Sequence, residues 1–191
     1  MPLFDHFSIL APIYDQAIPS GERDKFLALL AAPPRSYILD AGGGTGRVAQ
    51  LVRCQACHVV VADLSWGMLR QGRRKEGLRL VNAPTERLPF PSGRFERVIM
   101  VDALHHVCDQ PATAEELWRV LKPGGRIVIE EPDVRTLVVK IVAVVEKLAL
   151  MRSHFLSPSR IAALFPPQAL TRIETQGYTA WVVVEKPGER D

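Results

Sequence analysis

Cysteine is scarce in this chain, with three in 191 residues, an odd number that fits a reducing compartment. A strong charge balance is also lacking. The formal net charge is +3, too mild to argue for a nucleic-acid partner. The one basic cluster, Arg70 with Arg73, Arg74 and Lys75, reads as a solvated helix face. No uninterrupted apolar run approaches the roughly 20 residues of a membrane span, so no integral span is expected. Asp5 and His6 stand where a signal peptide would carry its apolar region, which leads us to expect a cytoplasmic location.

Two of the cysteines fall in Cys54-Gln55-Ala56-Cys57-His58, the C-x-x-C-H spacing of covalent haem attachment. Attachment of haem goes with export, which nothing in the chain suggests. Zinc would need His105, His106 and Cys108 as further ligands. Geometry opposes it: the cysteine pair falls just before one strand, and the histidines just after the end of another. In a parallel sheet those are opposite edges, about 17–20 Å apart. No metal is expected.

What is present is ordinary for a globular protein, 47% hydrophobic and 24% charged, and 191 residues suit one domain with a real core. The chain is organised around Ile38-Leu39-Asp40-Ala41-Gly42-Gly43-Gly44-Thr45-Gly46-Arg47. An apolar run from Tyr37 ends at an acid, and a glycine loop then leads into a helix. Glycine is expected there because the turn takes positive φ and because a ligand must approach the backbone. The spacing is G-x-G-x-G, not the dinucleotide fingerprint G-x-G-x-x-G.

Alternation of strands and helices follows. Ser20 starts a helix to about Ala31, and another covers Arg47 to Arg53. His58 to Asp63 is a buried strand ending in an acid, 17 residues after Gly46, near the interval at which nucleotide-binding α/β folds place a ribose-binding carboxylate. A helix is expected over Ser65 to Lys75, a third strand over Leu78 to Ala83 and a fourth over Arg97 to Asp102. Pro111 to Leu121 reads as a helix with Glu115 paired four residues ahead of Arg119, stopped by Lys122-Pro123-Gly124-Gly125. Arg126 to Glu131 is the fifth strand. Ser157 to Phe165 starts and ends a short helix, and Leu170–Thr175 with Thr179–Lys186 reads as a closing hairpin. The expected fold is α/β: a Rossmann-like, doubly wound, mostly parallel seven-stranded sheet with a C-terminal antiparallel hairpin. Its ligand edge is the carboxyl edge, where Asp40, Asp63, Ala83 and Asp102 emerge. Residues 1–32 form an N-terminal cap on this single domain. Residues 133–157 are a lid-like insertion, because 137–151 are apolar almost all round and need a cover on more than one face.

Leu39 to Gly46, Val61-Ala62-Asp63, Asn82-Ala83 before Leu88-Pro89-Phe90, Phe95 to Val101 and Leu121-Lys122-Pro123-Gly124-Gly125 together resemble the class I S-adenosylmethionine-dependent methyltransferases. Within them the chain is most similar to small-molecule enzymes related to the ubiquinone/menaquinone C-methyltransferases. The resemblance runs from about Phe7 to Val128. It implies S-adenosyl-L-methionine as cofactor, with Gly42, Gly44, Thr45 and Gly46 at its methionine moiety and Asp40 anchoring the turn and, indirectly, the amino group. It also implies Asp63, followed by Leu64, at the ribose, Asn82 and Ala83 at the adenine, Val101 and Asp102 at the methyl-donating end, and Tyr14 as a cover. One departure is that relatives tend to have Gly-Leu-Arg-Asn-Val where this chain has Ala103-Leu104-His105-His106-Val107, which puts a quinone acceptor in doubt.

Methyl transfer from a sulfonium is an in-line displacement that needs alignment and a dry pocket. A general base is needed only when the acceptor loses a proton. His105 and His106 stand at the right edge for that role, and His154 is a weaker candidate. The expected partner is a small, apolar or aromatic substrate, roofed by 137–151 with Phe4, Phe7 and Ile13, while packing of the same segment on the core, or on a second subunit of a homodimer, is the plainer alternative. Two other functions stay open: a cofactor-binding protein without turnover on this scaffold, and an NAD-dependent oxidoreductase.

Overall fold

The computed structural model describes residues 20–53, 58–136, 139–140 and 153–188. Five strands come first, β1 (Tyr37–Ala41), β2 (His58–Asp63), β3 (Leu78–Asn82), β4 (Phe95–Val101) and β5 (Leu121–Pro132), followed by β6 (Leu170–Gln176) and β7 (Thr179–Glu185). They form one seven-stranded sheet in the order β3-β2-β1-β4-β5-β7-β6. β7 pairs antiparallel with both β5 and β6 and alone runs against the other six. The expected sheet is therefore present. The chain runs outward from β1 through β2 to β3, then returns to β4 on the other side of β1. The crevice at the carboxyl ends of β1 and β4 is where such a reversal opens a ligand site.

Both faces of the sheet are covered, which is why its strands read as continuous apolar runs rather than alternating ones. Helices α1 (Ser20–Leu30), α2 (Arg47–Val52) and α3 (Trp66–Gly72) lie on one face, where Phe26, Leu30, Val52 and Leu69 meet Ile38, Val59, Ile99, Val128 and Trp181. Helices α4 (Gln110–Val120) and α5 (Pro158–Ala162) belong to the other, where Leu117 and Ile161 meet Leu39, Val98, Ile127 and Val182. Neighbouring residues such as Ile38 and Leu39 thus serve opposite cores.

Helix ends are closed by basic residues from the sheet. Arg97 Nε and Nη2 donate to the carbonyls of Leu30 and Ala31, and Arg126 Nη1 donates to that of Leu29, so the last turn of α1 is satisfied by β4 and β5. Lys186 Nζ does the same for Trp118 and Leu121 at the end of α4.

Three local expectations are corrected. α3 stops at Gly72 rather than Lys75. A Cβ at Gly72 would stand 2.9 Å from the Thr45 carbonyl oxygen, and the chain then turns so that Lys75 Nζ donates to Thr45 Oγ1 at 3.2 Å. Lys122-Pro123-Gly124-Gly125 is not a stop before the strand. Leu121 already pairs with Phe95, and β5 absorbs the glycines as an irregularity before Arg126 pairs with Arg97. Arg119 pairs with Glu116, not Glu115: its Nε is 2.6 Å from Glu116 Oε1, and Glu116 is itself fixed by the Leu88 N–H.

Candidate active site

The glycine loop leaves β1 at Asp40 and Ala41. Gly42, Gly44 and Gly46 take positive φ (69°, 56° and 74°), as the turn requires. Gly43 does not, and its reason is room: a Cβ there would lie 2.4 Å from the Asp40 carboxyl carbon. A Cβ on Gly42 would meet Ala103 at 2.7 Å. At these two positions the missing side chain makes way for the protein itself, where the sequence suggested room for a ligand.

The loop's N–H groups are largely spent within the fold. Gly42 donates to the Ala62 carbonyl at 2.7 Å, Gly44 to Asp63 Oδ2 at 2.8 Å and Gly46 to the Gly43 carbonyl at 2.8 Å. A pyrophosphate cradle needs such groups turned outward. What the site offers instead is side-chain charge. Asp40 is 1% exposed, accepts the Ala49 N–H at 3.1 Å through Oδ2 and has Oδ1 buried with no hydrogen-bond partner among the described residues. Burial pushes its pKa up from 3.8 to about 7, against the pull of the Ala49 N–H and of Arg47.

At the end of β2, Asp63 accepts the Ser65 N–H through Oδ1 at 2.7 Å as well as the Gly44 N–H through Oδ2, so one carboxylate joins the glycine loop to the start of α3. Leu64 beside it is 66% exposed, and Trp66 is 52% exposed. Asn82 Nδ2 donates to the carbonyls of Asp63 and Leu64 at 2.9 and 2.8 Å, and the Ala83 N–H donates to the Asp63 carbonyl. The end of β3 thus fastens the Asp63–Leu64 turn. Thr45 is buried and takes Lys75 on its hydroxyl.

Across the crevice, β4 ends at Val101, and Asp102 takes φ 50°, a left-handed conformation uncommon outside glycine. Arg47, the first residue of α2, faces it with Nη2 3.8 Å from Asp102 Oδ2. Next comes a 3-10 turn, Leu104–His106. Glu131, near the end of β5, holds that turn: Oε1 accepts the N–H groups of Ala103 and Leu104 at 3.0 and 2.8 Å, and Oε2 lies 2.5 Å from His105 Nδ1. The His105 ring stacks on Phe155 (4.3 Å between centroids) and touches His106 (3.9 Å). Burial, then the neighbouring His105, drives the His106 pKa down from 6.5 to about 3. His154 enters through its backbone, donating from N–H to the His105 carbonyl and accepting from Gln110 Nε2.

Asp40, the loop glycines, Asp63, Asp102 and the two histidines thus come to one sheet edge, while Tyr14, Phe4, Phe7, Ile13, Cys54, Cys57 and all of 137–151 except 139–140 lie outside the described residues. Among the described residues no group of His, Cys, Asp and Glu is placed to hold a metal, and no helix is long and apolar enough to cross a membrane. Sequence reasoning missed Glu131 and Arg47. For Glu131 a signal existed, since it is an acid at a strand's carboxyl end like Asp40 and Asp63. Nothing in the sequence marked Arg47 beyond its place after the loop.

Residues 39–129 match the family described as a methyltransferase domain. The chain is 38% identical over 105 residues to the ubiquinone/menaquinone biosynthesis C-methyltransferase UbiE of Coxiella burnetii, covering 49% of this chain and 42% of that one. It is 35% identical over 145 residues to the demethylmenaquinone methyltransferase of Symbiobacterium thermophilum, covering 68% and 57%. The chain thus spans about half the length of these curated relatives. In fold it is similar to a SAM-dependent methyltransferase from Aquifex aeolicus, with a TM-score of 0.74, 16% identity and coverage of 95% and 98%.

Proposed function

We propose that this chain, whose residues 39–129 match a methyltransferase domain, is a class I methyltransferase related to the ubiquinone/menaquinone C-methyltransferases, and that it transfers a methyl group from S-adenosyl-L-methionine to a small apolar or aromatic molecule. The observation that supports this cofactor over a dinucleotide is the loop itself. Its N–H groups are turned inward, and carboxylates stand at both sides of it. A phosphate-free ligand with a ribose diol and an amino-acid end suits that set; a pyrophosphate does not. Buried Asp40 Oδ1 and Arg47 Nη1, each without a partner among the described residues, fit the same reading.

Asp63 would hold the ribose hydroxyls, with exposed Leu64 beside the base and Asn82 and Ala83 fixing the turn that presents both. The glycine loop, Thr45 and Asp40 would surround the methionyl end, with Val101 and Asp102 nearer the reacting methyl. When bound, the cofactor supplies an activated methyl group, so the protein's task is to align and to exclude water. For an acceptor that loses a proton, His105 is the better base of the pair. Glu131 Oε2, 2.5 Å from its Nδ1, fixes the ring and would stabilise it once protonated, whereas the half-buried His106 is too weak a base. The apolar composition of 137–151 supports an apolar acceptor.

Calorimetry with S-adenosylhomocysteine and with NAD tests the cofactor, and a labelled-methyl screen across phenols, quinols, amines and tRNA tests the acceptor. Binding of the first ligand alone and turnover of an apolar small molecule are expected. Preference for NAD would overturn the cofactor assignment. A tRNA as best acceptor, or no turnover of any acceptor, would overturn the small-molecule methyltransferase reading.

A further inference from the structure

Arg47 is held in a way that its present contacts do not explain. It stands first in α2, directly after the glycine loop, and its guanidinium lies in the crevice between the ends of β1 and β4. Nη1 is buried and has no hydrogen-bond partner among the described residues. Nη2 reaches Asp102 Oδ2 only at 3.8 Å, an ion pair beyond hydrogen-bond range. A guanidinium has five N–H donors, and withdrawing them from water without replacement is costly. The groups around it are acidic. Asp102 is on one side, and the Asp40 carboxyl is close enough for Arg47 to pull on its proton affinity.

One cation beside two acidic side chains, with donors and an acceptor oxygen still to be satisfied, is the complement of an amino-acid zwitterion. A phosphate dianion would meet the two acids as well as the arginine, and an uncharged ligand would leave Nη1 as it is. Resting on the cofactor reading above, we infer that Arg47 recognises the α-carboxylate of the cofactor's methionyl end, with Asp102 holding the guanidinium in place for it. Carboxylate and guanidinium match as a two-pronged pair, so the arginine sets both the position and the chemical identity of that end.

Two ligands separate this from a structural role. S-adenosylhomocysteine carries the amino-acid end, and 5′-methylthioadenosine keeps the nucleoside and the thioether but lacks it. In calorimetry on the full chain, Arg47→Gln should weaken S-adenosylhomocysteine about tenfold to a hundredfold, the range for a lost charge-assisted pair, and leave methylthioadenosine within about twofold. Arg47→Lys, which keeps the charge and loses the fork, should fall between wild type and Arg47→Gln for the first ligand only, and it carries the test if Arg47→Gln does not fold. Equal weakening of both ligands would reduce Arg47 to a scaffold residue and overturn the assignment, as would no weakening of either. Failure of the wild-type chain to bind either ligand would instead sink the cofactor reading on which it rests.

Discussion

His105 and Glu131 are joined across adjacent strand ends by a buried contact of 2.5 Å, each side chain 5% exposed. The same carboxylate takes two backbone N–H groups of the turn that carries the histidine, so turn and ring are fixed by one residue of β5. Glu131→Ala would leave three donors without their acceptor. It should lower stability by about 3 kcal/mol or more in urea unfolding, with Glu131→Gln losing less because one oxygen remains. In the Gln variant, affinity for S-adenosylhomocysteine should stay within about twofold while acceptor turnover falls. Turnover equal to wild type in a folded Glu131→Gln protein would remove the positioning role.

Two desolvated groups, buried Asp40 and half-buried His106, should oppose each other in the pH dependence of stability. Between about pH 4 and pH 7 the folded chain keeps a proton on Asp40 that the unfolded chain has released, so raising the pH through that window costs stability. Between about pH 3 and pH 6.5 the unfolded chain holds a proton on His106 that the folded chain lacks, so acidification costs stability there. From about pH 4.5 to about pH 7, the urea midpoint of Asp40→Asn should therefore rise more steeply than that of wild type, and that of His106→Gln less steeply or fall. Parallel curves for all three proteins would contradict both assignments.

Asp63→Ala should weaken S-adenosylhomocysteine binding by about 1.5–3 kcal/mol, the loss expected for a charge-assisted bond pair to the ribose. Because Asp63 also ties Gly44 to Ser65, the comparison includes Asp63→Asn, which keeps an acceptor oxygen. An unchanged dissociation constant in folded Asp63→Ala protein would end the ribose role.

Val142→Gln probes the apolar segment. If 137–151 roofs the acceptor, turnover should drop while cofactor affinity stays within about twofold. A change in oligomeric state alone, seen by light scattering, would show that the segment serves a subunit contact instead.

The sheet was legible because two cores demand continuous apolar strands, and His58 to Asp63 or the turn at Gln176-Gly177 leave little choice. Strand-end acids could be read as an edge. Their partners could not: Asp63 reaches back to Gly44, and Glu131 reaches His105 across 26 residues, through pairings that no local pattern records. The choice of Glu116 over Glu115 depended on Leu88, far away in sequence, and the need for glycine at 72 on the backbone of Thr45. Arg47 was invisible for the same reason, since only the return of β4 beside β1 gives it Asp102.

The position of β7 has a consequence for how the sheet assembles. β6 precedes β7 in sequence yet touches the sheet only through it. Until β7 is in place, β6 has no strand to join, and the outer edge of β5 is open along Arg126 to Pro132, the stretch that β7 covers. β7 must therefore dock before β6 or together with it, and Trp181 and Val183 complete the α1 face only at that step. Until then the exposed β5 edge is a template for the wrong partner, a second copy included, so the hazard of misassembly falls in the interval before β7 docks.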